Sequence, residues 1–143
     1  MKETIKETEK ENVAVSLEDF LCSNQAELFD EVKISDRIPF MFKIKAMDND
    51  TYSSLQKQYT KMYKKGKMSF DSTGFNIATI KECCVVPNFK SAEFVKKMGV
   101  LTPEDAIKKS LLPGEIVNLV GFIQELSGFD KDTDELKDEV KNL

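Results

Sequence analysis

Hydrophobic and polar residues alternate along one stretch of the chain and recur at wider spacing elsewhere. Between residues 31 and 46, on both sides of Pro39, apolar side chains fall mostly at every second position, which is the period of a strand with one buried face. Residues 31–38 and 40–46 are therefore predicted to pair as an antiparallel hairpin. In most other segments apolar residues recur every three or four positions, which predicts amphipathic helices. The predicted fold class is α+β, a helix-rich single domain with a small antiparallel β-sheet.

Residues that suit a helix start or stop place these helices along the chain. Hydroxyl and carboxylate side chains cap a first turn, proline fits its first position, and glycine ends a helix. The predicted first residues or caps are Ser16, Asp48 or Asp50, Ser91, Thr102 and Pro113, and the predicted helix ends include Gly99 and Gly128. After a short helix at residues 16–21, the predicted helices cover residues 51–63, 75–86, 91–98, 102–111 and 113–126.

Two intervening segments carry other signals. Residues 64–67 predict a turn with Gly66 at positive φ, followed by a short strand that contains Met68 and Phe70. Residues 83–86 are assigned to the end of a buried helix that stops before Pro87, because the residue before a proline avoids the helical region. A strand is the alternative for these four residues.

A chain of 143 residues is long enough for one domain with a substantial core. Residues 1–13 are almost all polar or charged and are predicted to form a flexible arm. Residues 14–130 would be the folded domain. In the tail, residues 131–143, only Leu136, Val140 and Leu143 share a helical face, which predicts a marginal helix.

Charge and hydropathy exclude several classes of protein. The net charge of −4 argues against a dedicated nucleic-acid-binding protein, which is usually strongly basic. No apolar run approaches the 18 or more residues of a membrane span, and the charged first twelve residues lack the apolar stretch of a signal peptide. A cytoplasmic protein is expected.

The chain offers little reactive chemistry. It contains no histidine, and its glycines are scattered rather than grouped in a phosphate-binding loop, so no cofactor, metal site or catalytic residue is predicted. Its three cysteines, Cys22, Cys83 and Cys84, are expected to be reduced. The acidic run at residues 48–50 is interpreted as a helix cap rather than a calcium loop. The carboxylates Glu27, Asp30 and Glu31 are interpreted as a solvated cluster.

One basic patch and one apolar helix are the candidate binding features. The patch contains Lys57, Lys61, Lys64, Lys65 and Lys67 with Tyr59 and Tyr63. Arginine dominates the recognition of phosphates and bases, and Arg37 is the only arginine in the chain. The patch is therefore interpreted as a solvated face or as a contact with an acidic protein segment, rather than as a nucleic-acid site. The helix that follows Pro113 has a broad apolar stripe, which fits either the core or a partner surface. Candidate partner-binding residues are Leu119, Phe122, Ile123, Leu126 and Phe129.

Four ordered segments resemble the XkdN-like phage tail assembly chaperones. The matching segments are Ser16-Leu17-Glu18-Asp19-Phe20-Leu21, Val32 to Arg37 followed by Pro39-Phe40, Cys84-Val85-Val86-Pro87-Asn88-Phe89, and Leu111-Leu112-Pro113-Gly114-Glu115 with the end Gly128-Phe129-Asp130. These segments span about residues 14–130 and occur in the same order as in the family. Four matches in this order are more specific than any single segment would be.

The resemblance implies a non-catalytic role in a contractile-tailed phage, a defective prophage or a phage-tail-like bacteriocin. Such a protein coats the tape measure protein in the host cytoplasm, keeps it soluble, self-associates, and is absent from the mature particle. The tail tube protein is a further candidate partner. The alternative is a structural component that stays in the tail.

Overall fold

The computed structural model describes residues 15–23 and 27–129. Within them the chain forms six α-helices and two small antiparallel sheets, which confirms the predicted α+β class. The helices are α1 (Leu17–Ser23), α2 (Asn49–Tyr59), α3 (Ser72–Cys83), α4 (Ala92–Met98), α5 (Pro103–Ser110) and α6 (Pro113–Leu126). The strands are β1 (Phe29–Val32), β2 (Phe42–Lys45), β3 (Thr60–Met62), β4 (Met68–Phe70) and β5 (Cys84–Val86). The predicted arm 1–13, Asp130 and the tail 131–143 lie outside the described residues.

Side-chain caps start most of the helices where the sequence predicts them. The Ser16 hydroxyl accepts from the Asp19 amide at 3.2 Å, the Asp48 carboxylate accepts from the Thr51 amide at 2.7 Å, and the Thr102 hydroxyl accepts from the Asp105 amide at 3.2 Å. The Thr51 hydrogen bond also lowers the pKa of Asp48. These bonds satisfy amides that have no partner in the first turn, which fixes each helix start locally.

The main sheet has the order β1-β2-β5, with both pairs antiparallel. The predicted antiparallel pairing is confirmed, with Val32 paired to Phe42 and Phe29 to Lys45. Both strands are shorter than predicted, and β1 begins two residues before the predicted strand and ends at Val32 instead of residue 38. The buried face of this pair carries Val32, Phe42 and Ile44, whereas Phe40 is exposed. Helix α6 packs against β1, β2 and α3, so this face lies under the last helix.

Two helix predictions extend too far. Helix α2 ends at Tyr59 instead of residue 63, and the next three residues form β3, which pairs with β4 across a turn where Gly66 and Lys65 both have positive φ. Helix α3 ends at Cys83, and residues 84–86 form β5, as in the alternative interpretation. Both helices end early because a partner strand lies beside the residues that follow. Pairing with that strand gives their backbone N–H and C=O groups the hydrogen bonds that a longer helix would have given them.

The core lies between the sheet, α3, α5 and α6. Its fully buried side chains include Ile44, Ile80, Ile107, Leu119 and Ile123. A smaller cluster of Leu55, Phe75 and Ala78 joins α2 to α3. No helix in the described part of the chain is long and apolar enough to cross a membrane.

Candidate partner-binding site

An open, mostly apolar groove lies beside the main sheet, and we call it the aromatic groove. It has a volume of about 370 Å³. Its lining residues are Arg37, Ile38, Pro39, Phe40, Phe42, Pro87, Phe89, Phe94, Ser110 and Leu111. They come from β2 and the loop before it, the segment after β5, helix α4, and the end of α5 with the residue that follows it. Residues far apart in sequence therefore form one surface.

Four phenylalanine rings form a continuous row in this groove. The Phe40 and Phe42 rings are stacked, with centroids 5.7 Å apart and planes 13° apart. The row continues to Phe89 at 6.3 Å and from there to Phe94 at 5.4 Å. Phe42 and Phe89 are buried, whereas Phe40 is more than half exposed. The groove thus has a fixed aromatic floor and one accessible aromatic wall, which can pack against an apolar side chain.

A buried carboxylate fixes one end of the groove. Glu115, in the first turn of α6, is only 4% exposed and accepts hydrogen bonds from the Arg37 guanidinium, the Ser35 hydroxyl and the Leu112 amide. The distances are 3.0 Å from Arg37 Nε and 2.7 Å from the Leu112 nitrogen. Arg37 also donates to the Ser110 carbonyl at 3.1 Å. The loop that carries Phe40 is therefore tied to the start of α6.

These hydrogen bonds favour the charged form of the carboxylate. The Arg37 guanidinium, followed by the Ser35 hydroxyl and the Leu112 amide, lowers the pKa of Glu115 to about 2. The same pair raises the pKa of Arg37. The final glutamate of the Leu-Leu-Pro-Gly-Glu motif thus has two structural roles. It caps its own helix, and it holds a loop that lies 78 residues earlier in the chain.

The candidate residues on α6 are distributed between core and surface. Leu119 and Ile123 are fully buried, so in this conformation they contact their own chain and cannot meet a partner. Phe122 and Leu126 are partly buried against the core. Phe129 is about half exposed, and its ring lies 5.3 Å from the Tyr52 ring. The prediction that this stripe binds a partner stays untested, and in this structure Leu119 and Ile123 pack within their own chain.

The groove residues were not among the candidates from sequence. Phe40 and Phe42 appeared there as members of one strand face, and Phe89 as part of a family segment. The signal that could have found them is the resemblance itself, because three of its four segments contribute residues to the groove or to the Glu115 anchor.

Other sequence candidates have structural roles or stay on the surface. Cys83 and Cys84 are buried and unbridged, as predicted, and burial raises their pKa values to about 11 and about 12, so both thiols stay protonated. The side chain of Cys22 is outside the described part. Glu27, Asp30 and Glu31 are exposed, as the solvated interpretation predicts. Across residues 15–23 and 27–129 no cluster of three or more His, Cys, Asp and Glu side chains could hold a metal ion.

Comparisons with known proteins identify a family, a relative and a similar solved structure. A family model described as phage XkdN-like tail assembly chaperone protein matches residues 17–141. The uncharacterized protein YqbN of Bacillus subtilis (strain 168) is 30% identical over 110 residues, which cover 73% of this chain and 72% of that protein. A solved crystal structure of YqbN has a TM-score of 0.66 to this chain at 26% identity, and the match covers 82% of this chain and 100% of that one.

Proposed function

Since the chain belongs to the XkdN-like family of phage tail assembly chaperones, we propose that it binds the tape measure protein and keeps it soluble while the tail assembles. It does so in the bacterial cytoplasm, as a self-associating protein, and leaves before the particle is complete. A chaperone of this kind acts by binding. The aromatic groove suits that role, since apolar rings provide contact area without a reactive group.

The aromatic groove is the observation that supports this proposal. A long helical protein exposes apolar stripes until it is covered, and such stripes promote aggregation. In helix-in-groove recognition, apolar residues spaced along one helix face insert into a hydrophobic groove. We propose that side chains from a tape measure helix pack against the exposed ring of Phe40, which the buried rings of Phe42 and Phe89 support from within the core. The Glu115–Arg37 anchor keeps the groove in shape before the partner arrives, which lowers the ordering cost of binding.

The test is co-expression of the tape measure protein with the full chain or with one of two variants. Phe40→Ser removes the exposed wall of the groove. Val117→Ser removes another exposed apolar side chain, which is on α6 and does not line the groove. Full burial of an apolar side chain of this size contributes about 1.5–3 kcal/mol, and 57% of Phe40 is left to cover, so Phe40→Ser should weaken binding by roughly 4- to 20-fold. Val117→Ser should bind within about twofold of the unmodified chain.

Three results of this co-expression would contradict the proposal. The tape measure protein could be equally soluble without this chain, or it could fail to co-purify with it. Both variants could also bind equally well, which would move the contact away from the groove. Mass spectrometry of purified tails tests the departure of the chaperone, because a stoichiometric copy in the particle would identify a structural component instead. The tail tube protein can be tested as a second partner in the same co-purification.

A further inference from the structure

The hairpin formed by β3 and β4 carries an exposed apolar face. Met62 pairs with Met68, and Thr60 pairs with Phe70, so these four side chains share one side of the two-stranded sheet. Met62 is 75% exposed, Met68 is 67% exposed and Phe70 is 47% exposed. We call Met62, Met68 and Phe70 the hairpin face. An isolated two-stranded hairpin is marginally stable in water, so a cover for this face would also stabilise the hairpin.

Positive charge lies in the turn at the end of the hairpin face. Lys64 and Lys65, in that turn, are exposed, and neither forms an ion pair with any residue that the structure describes. Lys61 and Lys67 are exposed too, but they alternate with Met62 and Met68 and so lie on the opposite side of the sheet. Flexible methionine side chains adapt to varied apolar partners. An apolar face bordered by available ammonium groups therefore fits a segment with an apolar stripe and an acidic border.

The sequence of residues 131–143, outside the described part of the chain, has this pattern. Leu136, Val140 and Leu143 recur at the i, i+4 and i+7 positions of a helix. Asp132, Glu135 and Glu139 fall together along one side of that stripe at 100° per residue. With five acidic residues and three lysines, the segment has a formal net charge of −2.

The end of α6 lies near the hairpin face. Gly128 has a φ of 96°, and the Phe129 amide donates to the Gln124 carbonyl at 2.9 Å, which closes the helix with a left-handed residue. The Phe129 ring lies 5.3 Å from Tyr52, Tyr52 lies 6.0 Å from Phe75, and Phe75 lies 5.3 Å from Phe70. A row of aromatic rings thus leads from the last described residue to the hairpin face.

We propose that residues 131–143 dock on the hairpin face of the same molecule. The apolar stripe covers Met62 and Met68, and the acidic border faces the turn lysines Lys64 and Lys65. The distance allows this, because an extended chain from Phe129 to Asp132 followed by a helix to Leu143 can span up to about 25 Å, more than the three ring-to-ring steps require. The proposal does not depend on tape measure binding.

Methionine oxidation tests this docking in the full chain. Dilute hydrogen peroxide converts accessible methionines to sulfoxides, and peptide mass mapping follows each residue separately. Met41, which precedes β2 and is not part of β3 or β4, is 50% exposed and serves as the internal reference. Without a cover, the more exposed Met62 and Met68 should oxidise at least as fast as Met41. With residues 131–143 docked, both should oxidise at least about threefold more slowly than Met41.

A double variant and a dilution series complete the test. Leu136→Asp combined with Val140→Asp should raise the oxidation rates of Met62 and Met68 to that of Met41, whereas the control Asn142→Asp, off the stripe, should leave them slow. The proposal is overturned if Met62 and Met68 oxidise as fast as Met41 in the unmodified chain, or if they stay slow in the double variant. It is also overturned if their protection decreases on hundredfold dilution, because a second copy would then be the cover.

Discussion

Replacing Leu119 by alanine separates a core role of the last helix from a partner-binding role. Leu119 is 0% exposed, in the cluster between α6, α3 and the main sheet. Deletion of a buried leucine side chain leaves a cavity and typically costs about 2–5 kcal/mol. For a chain of this size, a loss of about 3 kcal/mol lowers Tm by roughly 6–12 °C.

The matched control is Val117→Ala, two residues earlier on the same helix. Val117 is 61% exposed, so the substitution leaves no cavity, and alanine suits a helix better than valine. Its free energy of unfolding should stay within about 0.5 kcal/mol of the unmodified protein. Urea unfolding followed by circular dichroism gives both values, and a thermal melt gives Tm.

The result that would refute this reasoning is an unchanged melt for Leu119→Ala together with lost partner binding. Leu119 would then contact another protein, as the sequence alone allowed, and the packing of α6 against the sheet would be wrong. A large loss of stability in both variants would instead mean that Val117 is covered in solution.

Two further predictions concern the carboxylate anchor and two glycines. The folded pKa of Glu115 is lowered below its ordinary value of 4.5 to about 2, so its contribution to stability is present above pH 4.5 and is lost as the pH falls toward 2. As the pH is lowered from 7 through 5 to 3, the unfolding midpoint should therefore fall less in Glu115→Gln than in the unmodified chain. Equal decreases in the two proteins would show that the Glu115 hydrogen bonds do not stabilise the fold. A Cβ at Gly74 would lie 2.6 Å from the Tyr59 ring, whereas one at Gly121 would meet nothing within 4 Å. Gly74→Ala should lower Tm, whereas Gly121→Ala, inside α6, should raise the free energy of unfolding by up to about 1 kcal/mol. Equal Tm shifts in the two variants would show that Gly74 has room for a methyl group.

The motif Leu-Leu-Pro-Gly-Glu shows how a local signal can carry a long-range role. Pro113 occupies the first position of α6, and the Glu115 carboxylate accepts from the Leu112 amide, which are both features of a helix start. The same carboxylate holds Arg37, the only arginine in the chain. A sequence pattern shows the first role, because it involves neighbours. It cannot show the second role, because the partner is far away in the chain.

The sequence by itself determined the fold class, most helix starts and the antiparallel pairing of β1 with β2. These features depend on caps, on glycines with positive φ, and on an apolar period of two, which involve residues within about four positions or one alternating segment. Its resemblance to the family also located three of the segments that form the groove and its anchor.

Only the tertiary structure decided which apolar surfaces are covered. A stripe such as that of α6 has the same pattern whether it meets the chain's own sheet or another protein, and here the sheet buries Leu119 and Ile123 while Phe40 stays exposed. Residues 84–86 became a strand because β2 offered an unpaired edge. The aromatic groove exists because loops distant in sequence meet at that sheet. Such outcomes depend on which surfaces come together in space, and the order of residues along the chain does not record that.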